Sequence, residues 1–169
     1  MTDMKTGTFR GILKQLGLTE QDLEDCSMRY AYPFEMQPQP EGGFTVTFPD
    51  VPEAITEGQS EAEARAYAED ALVTALSFYT DEARPLPVPS PARGRPTAMV
   101  PPLVAAKLAL HGAMLDAGTS NVELGRRLGI DEKSVRRLRD PLHRSHIGQI
   151  EAALRVLGKR LEVRVLEAG

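Results

Sequence analysis

The chain is short of the residues that most soluble catalysts and secreted proteins depend on. Its 169 residues include a single cysteine, Cys26, and three histidines. One cysteine cannot build an intrachain disulfide framework or a multi-cysteine metal site, and it fits a reducing, cytoplasmic setting. His111, His143 and His146 fall at no spacing that suits metal coordination, so neither a metal nor another cofactor is expected. No apolar run approaches the ~20 residues that span a bilayer, so no membrane partner is expected. The opening Met1-Thr2-Asp3-Met4-Lys5 lacks the charged-then-apolar layout of a secretory signal.

Charge is present but unevenly sorted. The formal net charge of −4 combines two opposite segments. Residues 28–88 carry only Arg29, Arg65 and Arg84 against eleven acidic side chains, a net of −8. Residues 100–169 carry twelve basic against eight acidic side chains, a net of +4. Both segments have the patterning of folded domains, so two electrostatically different partners are the simplest reading. Between them, residues 85–96 hold five prolines, which remove backbone donors and favour extended conformations. The expected organisation is an N-terminal helical extension (1–27), an acidic α/β domain (28–88), a semi-rigid proline-rich linker (89–99) and a helical domain (100–169).

In the acidic segment Tyr30, Tyr32, Phe34 and Met36 alternate as a strand does, with Pro33 implying an edge or a bulge. Glu41-Gly42-Gly43 makes a turn into a second strand, where Phe44, Val46 and Phe48 alternate with threonines. Residues 54–56 read as a third short strand and 86–88 as a fourth. Ser60 and Glu63 form a capping box that opens a helix to about Tyr79. Ala64, Tyr67, Ala68, Ala71, Leu72, Ala75 and Phe78 recur on it at helical spacing, which predicts one face lying close to a sheet.

The basic segment reads as four helices. The first runs from about Pro102 to Asp116, with Leu103, Ala106, Leu110 and Met114 as its inner stripe. Ser120 and Glu123 cap the second, which stops at Gly129; Asp131 caps the third, which Asp140-Pro141 ends; the fourth covers 147–157. A last strand over 161–166 has no partner within an all-helical unit, so it is expected to pair with its twin in a homodimer.

Residues 120–139 place Leu124, Leu128, Ile130, Val135 and Leu138 where two short helices crossing at a tight turn need them. This stretch resembles the repressor-type helix-turn-helix, whose second helix enters the major groove. The resemblance implies that Glu132, Lys133, Ser134 and Arg137 meet base edges, and that the helix start at Ser120 and Asn121 meets phosphate. Arg126, Arg136 and Arg144 are better placed as backbone clamps. Asn121 and Glu132 stand where glutamine is frequent in that motif, so base preference cannot be transferred. Double-stranded operator DNA is the expected partner of this segment.

The run Glu41-Gly42-Gly43-Phe44-Thr45-Val46-Thr47-Phe48-Pro49-Asp50-Val51-Pro52, then Thr56-Glu57-Gly58, Glu61-Ala62 and the alanine-rich helix to Ala71-Leu72, resembles the HicB antitoxin family. With the linker and helix-turn-helix the likeness covers about residues 28–166. It implies an α+β protein: a small, partial ribonuclease-H-like sheet-plus-helix domain, then an all-α helix-turn-helix domain with a C-terminal strand. It further implies that the acidic domain masks a HicA-like, mRNA-cleaving toxin while the basic domain represses the operon. An RNA-holding toxin is expected to be cationic, a suitable partner for a −8 segment. The toxin-contact residues are not readable.

No catalytic residue is assigned. Ribonuclease-H chemistry needs convergent carboxylates around metal ions, whereas Glu35 is the sole acid on the first strand and Asp50 sits in a proline-flanked turn. Residues 5–24 resemble the C-terminal end of HicA-type toxins, with Lys5-Thr6-Gly7-Thr8 leading into a helix striped by Phe9, Ile12, Leu13 and Leu16. That makes 1–27 a toxin remnant, the alternatives being an incidental helix or a mis-set start. The competing function is a stand-alone repressor whose α/β domain senses a small ligand.

Overall fold

The computed structural model describes residues 30–163 and residue 165. The resemblance noted for residues 5–24, and the extension 1–27 as a whole, lie outside the described residues. The protein is α+β, with short antiparallel strands followed by mostly helical chain.

Five strands and one long helix make up the first part. These are β1 (Ala31–Pro33), β2 (Glu35–Pro38), β3 (Phe44–Thr47), β4 (Ile55–Gly58), α1 (Glu61–Asp81) and β5 (Thr97–Met99). β3 lies between β2 and β4, pairing Val46 with Met36 on one side and with Thr56 on the other. β1 pairs with β5, Tyr32 opposite Ala98. Only Phe34 separates β1 from β2, and its backbone N–H donates to the Pro96 carbonyl at 3.0 Å. The expected interruption at Pro33 is therefore a change of partner along one line of chain.

The alternation seen in the sequence sorts side chains by face. Tyr32, Phe34, Val46 and Phe48 are buried, with the Phe34 and Phe48 rings 5.6 Å apart. Across from them Ala64, Ala68, Leu72, Ala75 and Leu76 of α1 are buried too. Alanine allows the helix to sit close to the strands, and Gly58 shows how close: a Cβ there would collide with the Ala64 backbone nitrogen. Ser60 caps α1 by accepting from the Glu63 N–H at 3.2 Å. Glu63 in turn accepts from the Gln59 N–H, one residue earlier than a standard capping box.

Two expectations need correcting. Residues 86–88 form no strand; the strand that follows α1 is β5, the last three residues of the expected linker, which makes a two-stranded sheet with β1 apart from β2-β3-β4. The prolines hold 86–88 away from ladder geometry, yet the segment is pinned: Tyr32 Oη donates to the Pro87 carbonyl at 2.8 Å, and Asp50 accepts from both the N–H and hydroxyl of Ser90 at 2.9 Å. Secondly, Tyr67 and Phe78 share the helical spacing of the buried alanines but point outward, 45% and 50% exposed. Helical period alone does not say where the apolar stripe ends.

The second part comprises α2 (Pro102–Asp116), α3 (Asn121–Leu128), α4 (Glu132–Arg139) and α5 (Ile147–Val156). Ala106, Leu110, Ala113 and Met114 of α2 form one core with Leu124, Val135, Leu138, Ile150, Ala153 and Leu154. Leu103 packs at its margin. Gly129, at φ +70°, ends α3 in the left-handed conformation that glycine adopts without strain. Gly125 is small for a different reason: a Cβ would stand 2.7 Å from the Ile130 carbonyl oxygen. The strand expected over 161–166 does not form within the single chain among the described residues: residues 161–163 and 165 lie outside any regular element.

Candidate functional site

The connection 129–131 sets α3 and α4 against each other, and their apolar residues turn inward. Ser120 accepts from the Glu123 N–H at 3.1 Å, and Asp131 from the Ser134 N–H at 2.6 Å, so each helix starts at a side-chain cap. With Leu124, Val135 and Leu138 buried, the outer faces are left to charge. Arg126, Lys133, Arg136, Arg137 and Arg144 are all exposed.

Several of these cations have acidic neighbours. Arg126 and Arg127 both reach Glu123, at 3.0 and 2.9 Å, and their hydrogen bonds hold its carboxyl below the usual range. Arg136 reaches Glu132 one turn back at 3.0 Å. Such exposed pairs exchange partners at little cost, so they offset part of the positive charge without locking the side chains. Ser134 and Arg137 line one open cleft of about 340 Å³ together with Arg144, His143, Ser145 and Gln149; Leu128, Ile130, Leu138 and Ala152 complete it. Ser120, Asn121, Arg126, Glu132, Lys133 and Arg136 lie outside that cleft.

Asn121 is the first residue of α3, at the helix start expected to meet phosphate. It is half-buried, and its Oδ1 accepts from Arg139 Nη1 at 2.7 Å. Arg139 also donates through Nη2 to the Thr80 carbonyl at 2.8 Å, tying the end of α4 to the end of α1. Residue-type patterns had not marked Arg139 out from the other arginines of α4.

Lys107 went equally unnoticed. It is fully buried in α2, and its ammonium donates to the carbonyls of Arg137 (2.9 Å) and Asp140 (2.8 Å) and to Ser145 Oγ (2.8 Å). Burial lowers its pKa, and the Asp140 charge works the other way. A cation at the C-terminal end of α4 meets the negative end of the helix dipole and three acceptors at once. The available signal was a lysine set among the apolar residues of α2. It braces the helix that carries Lys133, Arg136 and Arg137.

On the sheet side the acids do not converge. Asp50 is engaged by Ser90, and Glu35 is exposed on β2. Among the described residues, no three His, Cys, Asp or Glu side chains come together as metal ligands. No helix among those residues is long and apolar enough to cross a membrane.

Residues 31–109 match the family model described as "HicB_like antitoxin of bacterial toxin-antitoxin system". The chain is 44% identical over 137 residues to Antitoxin HicB 2 of Photorhabdus laumondii, covering 81% of this chain and 96% of that protein. The chain belongs to the HicB-like antitoxin family. Antitoxin HicB of Escherichia coli K12 is 39% identical over 133 residues (78% of this chain, 96% of the relative). Antitoxin HicB of Pseudomonas fluorescens is 37% identical over 141 residues (82% and 96%). The family model ends within α2, but an alignment of 133 residues must reach past residue 109. Likeness to the HicB antitoxins therefore extends into the helical part that holds the cationic surface.

Proposed function

We propose that this HicB-like antitoxin has two binding functions: it masks a HicA-like, mRNA-cleaving toxin and represses its own operon. The observation that carries the reading is the sorting of charge, with a cationic outer surface on α3 and α4 in a chain whose 28–88 segment is net −8. We read α3 and α4 as a helix-turn-helix with α4 in the major groove, where Glu132, Lys133, Ser134 and Arg137 meet base edges. Arg126, Arg136 and Arg144 then hold the DNA backbone, with the α3 start at Ser120 and Asn121 nearby. Asn121, bonded to Arg139, orients that helix end in addition to lying near phosphate. The acidic part, 28–88 completed by β5, is read as a reduced ribonuclease-H-like fold without a hydrolytic role, and the engagement of Asp50 by Ser90 supports that reading. The tail 161–166 pairs with a second copy, giving a dimer with two reading helices and a near-palindromic operator.

Duplexes from the chain's own promoter and scrambled duplexes, titrated at two salt concentrations, test the DNA function. Tighter binding to the promoter, weakening steeply with salt, is expected. Equal, salt-insensitive affinity for both would remove it. Co-purification with the small protein encoded beside the gene tests the toxin function, and sedimentation at micromolar concentration tests the dimer.

A further inference from the structure

The outward face of α1 is built unlike a solvated helix face. Tyr67 and Phe78 are eleven residues apart, three turns plus about 20°, so they project from one side of the helix about 16 Å from each other. Both rings are about half exposed. Between them the same face carries only small side chains, half-buried Ala71 and exposed Thr74. Along one flank run Glu63, Asp70 and Asp81, at the same helical angle within a few tens of degrees. Asp70 and Asp81 are exposed, and Glu63 Oε1 accepts from the Tyr67 hydroxyl at 3.0 Å, which orients that ring. The result is a shallow saddle with an aromatic ring at each end and carboxylates along its rim.

Single exposed apolar residues are ordinary, but aligned aromatics framing a small-residue floor are the composition of an interface centre. The exposed face of the sheet provides the contrast. Glu35, Thr47 and Ile55 lie in one row and Gln37, Thr45 and Glu57 in the next; Ile55, 60% exposed, is a single apolar side chain among polar ones, not an aligned pair.

We propose that the α1 saddle is where the toxin docks. Tyr67 and Phe78 act as its apolar anchors, and Asp70 and Asp81 face basic side chains of the toxin. This rests on the reading that the antitoxin masks a cationic, RNA-binding protein. Charge selects that occupant: a rim of carboxylates within a −8 segment repels DNA and repels the same face of a second copy, whereas a cationic protein is attracted and oriented.

The test uses the full chain and the HicA-type protein encoded beside it, with dissociation constants measured for wild type and variants. Tyr67→Ala and Phe78→Ala are each expected to weaken binding about thirtyfold. Asp70→Lys is expected to slow association and flatten its salt dependence. Glu57→Lys, on the open sheet face, is expected to stay within about twofold of wild type, since rim contacts away from the centre matter little. Unchanged promoter-DNA affinity and unchanged thermal unfolding in the α1 variants would show that the loss is local. If the Tyr67→Ala/Phe78→Ala double variant binds as wild type does, or Glu57→Lys is the variant that fails, the saddle is not the docking site although the masking function stands. If wild type itself does not bind, both fall.

Discussion

Arg139 and His111 fix each other's chemistry: the guanidinium donates through Nη2 to His111 Nδ1 at 2.9 Å. An arginine can only donate, so Nδ1 must be the accepting nitrogen. The other ring nitrogen, Nε2, lies 2.7 Å from the Arg84 carbonyl, which can only accept, so Nε2 carries the proton. His111 is thereby held as one neutral tautomer inside a buried junction that also includes the Thr80 carbonyl and Asn121. A second proton on Nδ1 would face the guanidinium.

That junction makes stability depend on pH. Burial chiefly lowers the His111 pKa; the Arg84 carbonyl opposes this and the Arg139 charge adds to it. Because the native pKa lies below the unfolded value of about 6.5, the unfolded chain binds more protons through this window. The contribution is full above about pH 6.5 and is lost as pH falls towards the lowered native value. Chemical denaturation from pH 7.5 to 5.5 should show falling stability in the wild type and a shallower slope in His111→Gln. Identical slopes would mean that His111 is not the titrating group.

Lys107→Met keeps the length of the side chain but strips donors from the Arg137 and Asp140 carbonyls and from Ser145. A loss on the order of 2 kcal/mol is expected in urea unfolding, because acceptors left buried and unpaired cost more than the bonds contributed. Weaker promoter binding should accompany it, since α4 loses its brace. A variant as stable as wild type would show that water replaces the ammonium.

Gly125→Ala tests the crossing of α3 and α4 directly. The new methyl would meet the Ile130 carbonyl at 2.7 Å and Val135 Cγ2 at 3.4 Å. Prising the helices apart should cost about 1–3 kcal/mol and lower DNA affinity. Full retention of both would indicate that the turn relaxes freely.

Arg137→Ala and Arg126→Ala should separate base reading from backbone holding. The first is expected to reduce discrimination between promoter and random duplexes by on the order of 1–3 kcal/mol. The second should weaken both duplexes alike and reduce the salt slope by about one. Parallel losses on both duplexes in both variants would withdraw the base-reading role from Arg137.

Local signals were legible in the residues themselves. Pro102 and Gly118 mark the limits of α2, Ser120 and Asp131 the starts of α3 and α4, and Gly129 the stop between them. Each works through its own neighbours in the chain, by a cap, a missing donor or a permitted φ. Strand alternation from Phe44 to Phe48 was readable for the same reason. The strand expected at 86–88 was misplaced because strand formation requires a partner, and β1 found it at Thr97–Met99, beyond the prolines.

The sequence by itself determined the α+β order, the helix limits and the division of charge, since period, capping and composition depend on residues near one another in the chain. Tertiary structure alone decided which residues of one period are buried. It turned Tyr67 and Phe78 outward on α1, drew Lys107 under the end of α4, and closed Arg139 onto His111 and Thr80. The physical reason is that burial and polar pairing depend on which surfaces meet across 27 to 59 residues of intervening chain. No local pattern encodes those meetings.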